Sequence, residues 1–182
     1  MANAAIDHTT GSLTLDGTKV FPLILSDGPP REGKTADNAD AWAEIAQNGR
    51  GANFLRTGRT LAAPWTLAGI DAQIADELTT MNAAHAHGLY CWPRLVNAAN
   101  LPASTDSGPE QILAKLTAAF KDHPALGAYK GADEPFHGGT APDGLVRAYN
   151  RLKQLDANHP LVIIQAPMDP LASLCPTGRL ST

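Results

Sequence analysis

The chain has 182 residues, a formal net charge of -4 and 43% hydrophobic residues, a composition that predicts one soluble globular domain. Its acidic balance and the lack of a basic stripe argue against a nucleic-acid partner. No apolar run is long enough for a membrane span, and the start lacks the basic head and apolar core of a signal peptide. Two cysteines, Cys91 and Cys175, form no disulfide framework, so the compartment is undetermined and cytoplasmic only by default.

The N-terminal part contains one hairpin motif. Residues 1–12 are expected to form a flexible N-terminus. In the stretch "SLTLDGTKVFPLIL" that follows, apolar and polar residues alternate on both sides of Asp16-Gly17. An Asp-Gly pair between alternating runs predicts a β-hairpin.

Short apolar runs and longer amphipathic segments then alternate along the chain. The predicted strands are "FPLILS", "ANFLRTG", "LYCWPRL", "ALGAYKGAD" and "LVIIQAP". The predicted helices between them are "DNADAWAEIAQNG", "LAGIDAQIADELTTMNAAHAHG", "GPEQILAKLTAAFKDHP" and "APDGLVRAYNRLKQLDANHP". Asn, Asp or Pro near the helix starts and Gly or His-Pro after the helix ends support these assignments.

Strands that alternate with helices predict a parallel sheet with right-handed crossovers. A doubly wound open sheet and a (β/α)8 barrel are the candidates, and no Gly-rich dinucleotide turn follows the first strand. Polar or aromatic residues stand at one predicted strand end after another: Asp27, Arg56, Trp92, Asp133, Glu134 and Gln165. This layout favours the barrel, whose chemistry lies at the carboxyl ends of its strands.

The length conflicts with a complete barrel. A TIM barrel usually needs about 250 residues, and the five predicted strands already occupy residues 13–167. We therefore predict an incomplete TIM-barrel-like α/β domain of about five β/α units over 13–167. Its exposed sheet edges would favour self-association. Residues 168–182 are expected to be an irregular tail from a truncated or frameshifted reading frame.

Two adjacent carboxyl groups, those of Asp133 and Glu134, end the fourth predicted strand. Pro135 follows and ends the strand, because proline cannot donate a ladder hydrogen bond. A carboxyl group at this edge of a barrel, set against an apolar wall, retains its proton more readily and can serve as a general acid. The alternative is that the two acids only cap the next helix.

Three segments place motifs at predicted strand ends. "GANFLR" contains Asn53 and Arg56, "HGLYCWPRL" begins after a helix that ends in His-Gly and carries Trp92, and "HPALGAYKGADEP" ends in Glu134-Pro135. Together, over most of residues 13–167, these segments resemble the first half of a glycoside hydrolase of the large (β/α)8-barrel clan. The resemblance implies a carbohydrate substrate, cleavage of O-glycosidic bonds, no cofactor, and Glu134 as the general acid/base.

One residue departs from the pattern of that clan. The clan has an Asn before the acid/base, whose amide donates a hydrogen bond to the sugar 2-hydroxyl, whereas this chain has Asp133. An ionised Asp can only accept hydrogen bonds, so Asp133 could bind a hydroxyl only with reversed polarity. The subfamily therefore stays open.

Further substrate-binding candidates are Arg56, Trp92, Lys130, His137 and Asp27. Arg56 matches an arginine that orients the clan's nucleophile, although a surface arginine is the alternative. Trp92 is interpreted as a sugar-stacking wall or a core residue. Lys130 alternates with Glu134 along the fourth predicted strand and is expected to point into the barrel, where it either pairs with a carboxylate or simply satisfies a buried charge. His137 is expected to line the pocket, and Asp27 to shape a turn or bind a hydroxyl.

No metal site is predicted from the histidines. His85 and His87 are two residues apart on a predicted helix and therefore face different directions. His123 and His159 each precede a proline at a helix end, where a histidine complements the helix dipole.

The second carboxyl group of a retaining glycosidase is missing from the sequence. The two groups lie roughly 5 Å apart in such enzymes, and the clan places the second on a Glu after the seventh strand. No Glu follows Glu134, so we predict that this chain alone does not hydrolyse glycosides. The alternatives are a non-catalytic carbohydrate-binding or partner-assembled half-barrel, and a different barrel enzyme that uses Asp133 and Lys130.

Overall fold

The computed structural model describes residues 4–26, 28–47 and 52–165. The strands are β1 (Ala4–Asp7), β2 (Ser12–Leu15), β3 (Thr18–Val20), β4 (Ile24–Leu25), β5 (Phe54–Gly58), β6 (Tyr90–Arg94), β7 (Tyr129–Asp133) and β8 (Leu161–Ile164). The helices are α1 (Ala41–Gln47), α2 (Ile70–Ala86), α3 (Gly108–Phe120) and α4 (Pro142–Leu155), with short 3-10 turns at Leu67–Gly69 and Val96–Ala99. The predicted tail 168–182 and the candidate Asp27 lie outside the described residues.

Strands β4 to β8 form one parallel sheet in the order β4-β5-β6-β7-β8. Helices connect neighbouring strands, and the sheet curls into a half-barrel. Sequence order therefore equals spatial order, as right-handed β–α–β crossovers around a barrel require. This confirms the predicted α/β class and the incomplete TIM barrel of about five units.

The first strand of the sheet is shorter than predicted. β4 covers two residues, whereas the sequence predicted a strand over 21–26. The side chain of Asn53 replaces ladder bonds here, because its Oδ1 accepts from the N–H of Leu23 at 3.0 Å and its Nδ2 donates to the carbonyl of Phe21 at 3.1 Å. Pro22 lies between these two residues and has no N–H for the ladder.

The two faces of the sheet have different coverings. On the outer face, Leu55 and Tyr129 pack with buried helical side chains into the main core. On the inner face, Phe54, Trp92 and Ala128 form a second cluster, which we call the inner cluster. Successive residues of a strand alternate between the two faces of the sheet. The residues two positions after Phe54, Trp92 and Ala128 therefore also belong to the inner face, and these are Arg56, Arg94 and Lys130.

The N-terminal strands cover part of the inner face. β1, β2 and β3 form an antiparallel meander, and the turn at Asp16-Gly17 confirms the predicted hairpin between β2 and β3. The sequence did not predict β1, which lies within residues 1–12. Ala4 and Leu15 are buried against the inner cluster. The meander thus shields the apolar part of the inner face from water.

The helices lie where the sequence indicated, although α1 begins four residues and α2 three residues after the predicted starts. Ser107 caps α3 by accepting a hydrogen bond from the N–H of Glu110, and prolines occupy the first turns of α3 and α4. Ile70 and Met81 on α2 are buried in the main core, as the predicted apolar stripe requires. Within the described residues, no helix is long and apolar enough to cross a membrane.

A buried polar network joins the end of α4 to β7. Asp156 Oδ2 accepts a hydrogen bond from the Tyr129 hydroxyl at 3.0 Å and lies 2.7 Å from His159 Nδ1. Its Oδ1 accepts from the N–H groups of Asn158 and His159. Burial alone would raise the pKa of Asp156, but the bonds from His159, Asn158 and Tyr129 outweigh burial and hold this pKa below its ordinary value. Burial and the Asp156 charge also raise the pKa of Tyr129, which therefore remains protonated.

Candidate active site

Asp133 is the last residue of β7, and Glu134 follows it at the carboxyl edge of the sheet. Both residues are exposed, and Glu134 has a φ of +43°, in the left-handed region. Its N–H donates to the carbonyl of Ile164 at 2.8 Å, and its carbonyl accepts from the N–H of Gly138 at 3.0 Å. The apolar wall expected around Glu134 is not found among the described residues, because Glu134 is exposed.

Lys130 lies on the inner face and is 1% exposed. Its ammonium donates to Asp133 Oδ1 at 3.1 Å, to the carbonyl of Ala132 at 3.0 Å and to that of Gly131 at 3.4 Å. Lys130 thus pairs with a carboxylate, as the sequence indicated. Direct contact with a substrate stays a prediction, and this enclosure gives it no support.

The expectation that the side chains of Lys130 and Glu134 follow the regular alternation of one strand is wrong. The register of β7 against β8 shifts between Lys130 and Asp133, so the strand is irregular before it ends. An irregularity of this kind changes which face the following side chains occupy. Sequence spacing alone could not place Lys130 and Glu134 on one face.

Two arginines accompany Lys130 at the carboxyl edge. Arg56 stands opposite Trp92 in the ladder, and Arg94 stands opposite Lys130. The Arg56 Nε donates to the carbonyl of Ser26 at 2.9 Å. Burial is the main cause of the lowered pKa of Lys130, and the charges of Arg56 and Arg94 lower it further, while Asp133 counteracts them.

Arg94 is a residue that the sequence analysis missed. It lies two positions after Trp92 on β6 and therefore shares the inner face with it. That spacing was the available indication, since Trp92 was already a candidate. Pro93 between them obscured the pattern, because a proline inside a central strand is unusual.

Trp92 lies in the inner cluster and is 4% exposed. Its indole N–H has no hydrogen-bond partner among the described residues. In this structure Trp92 is a core residue, which is one of the two alternatives given by the sequence, because the N-terminal meander covers this part of the sheet. A stacking role with a sugar stays a prediction.

His137 lies in an exposed turn three residues after Glu134. The turn is closed by bonds from the N–H of Gly139 to the carbonyl of Phe136 at 3.0 Å and from the N–H of Thr140 to that of Pro135 at 2.7 Å. His137 is thus near the acids in the chain, and its pocket-lining role stays a prediction. Asp27, the remaining candidate, falls outside the described residues.

A polar cavity of about 280 Å³ lies between β5, α2 and the segment before α1. Its charged and polar lining includes Arg31, Arg56, Thr57, Asp76 and Glu77. Glu77, which the sequence analysis also missed, accepts a hydrogen bond from the N–H of Gly58 at 2.9 Å. Burial raises the pKa of Glu77, and the hydrogen bond from the N–H of Gly58 opposes this rise. This carboxyl group belongs to the outer wall of the half-barrel rather than to its inner edge.

The candidate site offers oxygen and nitrogen groups rather than a metal centre. Across residues 4–26, 28–47 and 52–165, no group of three or more His, Cys, Asp or Glu side chains could hold a metal ion. The carboxyl edge instead combines an accessible Glu134, a paired Asp133 and three cationic side chains. Chemically, this arrangement can donate a proton and can orient anionic or hydroxyl groups.

No protein-family model matches the chain, and the search among curated proteins found no match. Solved structures do match its fold. A glycoside hydrolase of family 5 from Bacteroides vulgatus superposes with a TM-score of 0.50 and 11% identity, over 88% of this chain and 39% of that one. The exo-chitosanase CsxA of Amycolatopsis orientalis has a TM-score of 0.52 and 15% identity, over 95% of this chain and 20% of that one.

A third similar structure is Gas2p of Saccharomyces cerevisiae in complex with laminaripentaose. Its TM-score is 0.50 and its identity 19%, over 90% of this chain and 38% of that one. The fold is a partial TIM barrel that matches part of each of these three structures. The chain spans about a fifth to two fifths of the length of these three structures. At such low identity the likeness concerns the fold, and it does not assign individual residues.

Proposed function

We propose that the chain forms the first half of the barrel of a glycoside hydrolase that acts on O-glycosidic bonds of a carbohydrate. The observation that carries this proposal is the position of Glu134. It follows β7, the fourth strand of a parallel half-barrel like those of glycoside hydrolases, at the edge where barrel enzymes carry their catalytic groups. In this proposal Glu134 is the general acid/base.

The exposure of Glu134 suits that role. A general acid must come within hydrogen-bond reach of the oxygen that it protonates, and a carboxyl group in an exposed turn is accessible to a glycosidic oxygen. Asp133 Oδ1 already bonds to Lys130, so a sugar hydroxyl would bond to Oδ2. Arg56, at the same edge, would orient a carboxylate or a sugar oxygen.

The second carboxylate has to come from elsewhere. Among the described residues, the acids after Glu134 are Asp143, in the first turn of α4, and Asp156, in the buried network. In the described part of the chain, no hydrogen bond or ion pair joins either of these acids to Glu134. We therefore propose that residues 1–182 by themselves do not hydrolyse glycosides, and that the remaining barrel strands supply the partner of Glu134.

Kinetics test this function on the longest reading frame that encodes the 182 residues. Aryl and oligosaccharide β-glycosides are the substrates, and Glu134→Gln is compared with Glu44→Gln, which changes an exposed Glu on α1. We expect Glu134→Gln to lower kcat/KM on oligosaccharides by about 10²- to 10⁴-fold and Glu44→Gln to have no effect. Full activity of Glu134→Gln would exclude the acid/base role.

The alternative function is a non-catalytic carbohydrate-binding or partner-assembled half-barrel. It is favoured by the lack of a second carboxylate beside Glu134 in the described residues. Light scattering and calorimetry distinguish the two functions. A defined dimer of the 182-residue chain that binds laminari-oligosaccharides, with no turnover by the longest reading frame, would support the alternative. A third reading, with Lys130 and Asp133 as the reacting groups, gains no support because Lys130 is enclosed.

A further inference from the structure

The end of β7 has a contact pattern that a regular strand cannot make. Lys130 Nζ donates to two successive carbonyls, those of Gly131 and Ala132. Successive carbonyls of a regular strand point to opposite sides, so one ammonium does not reach both. The register shift between Lys130 and Asp133 covers these two carbonyls. The ammonium therefore fills an irregular, bulged segment of the strand and donates to two of its successive carbonyls.

The same ammonium has a carboxylate partner across the bulge. Asp133 Oδ1 lies 3.1 Å from Lys130 Nζ, and the exposures of the two side chains are 55% and 1%, respectively. A buried ammonium needs a counter-charge, and the nearby positive charges of Arg56 and Arg94 increase that need. Asp133 is the acidic residue that bonds to it.

Glu134 comes directly after this bulge. Its left-handed conformation is unfavourable for a residue with a side chain, so surrounding contacts have to hold it. One such contact is the bond from its N–H to the carbonyl of Ile164 on β8. On the other side, the bulge sets the direction in which the chain enters Glu134, and bulges beside functional sites commonly redirect a side chain.

We propose that Lys130 and Asp133 are a matched pair in which the buried ammonium holds the bulge that turns the chain at Glu134, while Asp133 supplies its counter-charge. Lys130 is then a positioning residue that acts on a substrate only through Asp133 and Glu134. The proposal that the two residues form a pair rests only on the geometry of their contacts. Its link to catalysis rests on the proposed function, through the role given to Glu134.

Amide hydrogen exchange of the intact chain tests the pair without any substrate. The measured quantity is the exchange rate of the Glu134 N–H, in wild type, Asp133→Asn and the double variant Asp133→Asn with Lys130→Gln. The control is Asp71→Asn, which removes an exposed Asp paired with Lys115 at 3.3 Å. The Asp133 side chain is exposed, so its variant should fold and keep the test decisive even if changes at Lys130 lower expression.

We expect Asp133→Asn to accelerate exchange at Glu134 by about tenfold or more, and Asp71→Asn to leave it unchanged. The double variant should exchange more slowly than Asp133→Asn. A glutamine at 130 can still donate to the two carbonyls and needs no counter-charge. This rescue separates a matched pair from two independent structural residues, whose effects would add.

A smaller acceleration in Asp133→Asn would overturn the proposal, as would a double variant that exchanges as fast as the single one. Both outcomes are independent of catalysis, because no sugar is present. Conversely, an active Glu134→Gln enzyme would remove the proposed function and leave the pair intact. The two proposals can therefore fail separately.

Discussion

Two acid–base pairs with the same sequence spacing lie on opposite sides of β7. Lys130–Asp133 and Asp156–His159 are each three residues apart, and each has one partner that is 1% exposed. The difference is in the acid, because Asp156 is 2% exposed and Asp133 is 55% exposed. The outer-face pair is therefore fully enclosed, whereas the inner-face pair leaves its carboxylate accessible beside Glu134.

This difference shows how one local pattern can serve two purposes. A fully buried pair contributes to stability only while both members are present, since removal of one leaves the other unpaired in a medium of low polarity. A pair with one exposed member is screened by water, so it contributes less free energy. Its oxygen remains available to a ligand.

The largest expected effect is on the enclosed pair. Asp156→Ala should lower the free energy of unfolding by about 3 kcal/mol, because Tyr129 and His159 both lose a buried hydrogen-bond acceptor. Urea unfolding at neutral pH measures the change. Asp143→Ala, at an exposed acid of α4, is the control and should cost less than about 1 kcal/mol. Equal losses in both variants would contradict the comparison.

Lowering the pH should gradually remove the stabilisation that the same network provides. The pKa of Asp156 is depressed in the folded state, so the unfolded state binds more protons below about pH 4. The stabilisation is present above the unfolded-state pKa and is lost as pH falls through the folded-state pKa. Asp156→Asn should therefore show a flatter acid limb, by up to about 1.4 kcal/mol per pH unit, when unfolding is measured across this range. Parallel curves would show that other carboxyl groups dominate.

Breaking the Lys130–Asp133 pair should lower the free energy of unfolding less than breaking the Asp156–His159 pair. Asp133→Ala should lower the free energy of unfolding by about 1.5 kcal/mol, because its own carboxylate is largely solvated but the ammonium that it leaves behind is buried. Lys130→Met should stay within about 1 kcal/mol of wild type, since an apolar side chain of similar length avoids burying a charge. Urea unfolding of both variants provides the measurement. A loss at Asp133 as large as that at Asp156 would remove the distinction between the pairs.

The smallest expected effect has the opposite sign. Glu134→Gly should raise the free energy of unfolding by about 0.5–1 kcal/mol, because glycine adopts a φ of +43° without strain. Asn38→Gly, at a φ of +65°, should gain less because Asn tolerates this region. Thermal unfolding measures both variants. A loss of stability in Glu134→Gly would mean that the Glu134 side chain makes stabilising contacts, which would weaken the case for a functional role.

Much of the fold could be predicted because its indications are local. The apolar stripe of α2, the capping Ser107 of α3 and the prolines in the first helical turns are all read within a few residues. β1 was missed because its pairing with β2 and the burial of Ala4 create it, and neither depends on local pattern. β4 was overestimated because the side chain of Asn53 occupies the place of a ladder.

The candidate site, like the fold, could be predicted from the sequence only in part. Pro135 directly after two acids indicated the end of β7, because proline cannot donate a ladder hydrogen bond, although Pro93 inside β6 shows that a proline does not always end a strand. The bond between Asp133 and Lys130 depends on the register shift in β7, which the sequence does not indicate. The register of Arg94 with Lys130, and the burial of Trp92 under the N-terminal meander, are given by the tertiary structure.

The sequence by itself determined the order of strands and helices and the position of Glu134 at a strand end, because periodicity and proline act over a few residues. It could not distinguish the two pairs, since Lys130–Asp133 and Asp156–His159 have the same spacing. Only the tertiary structure decided that Asp156 is enclosed and that Asp133 is open to water. Burial depends on which distant segments pack together, and for the two acids it decides which one supports the fold and which one a ligand can reach.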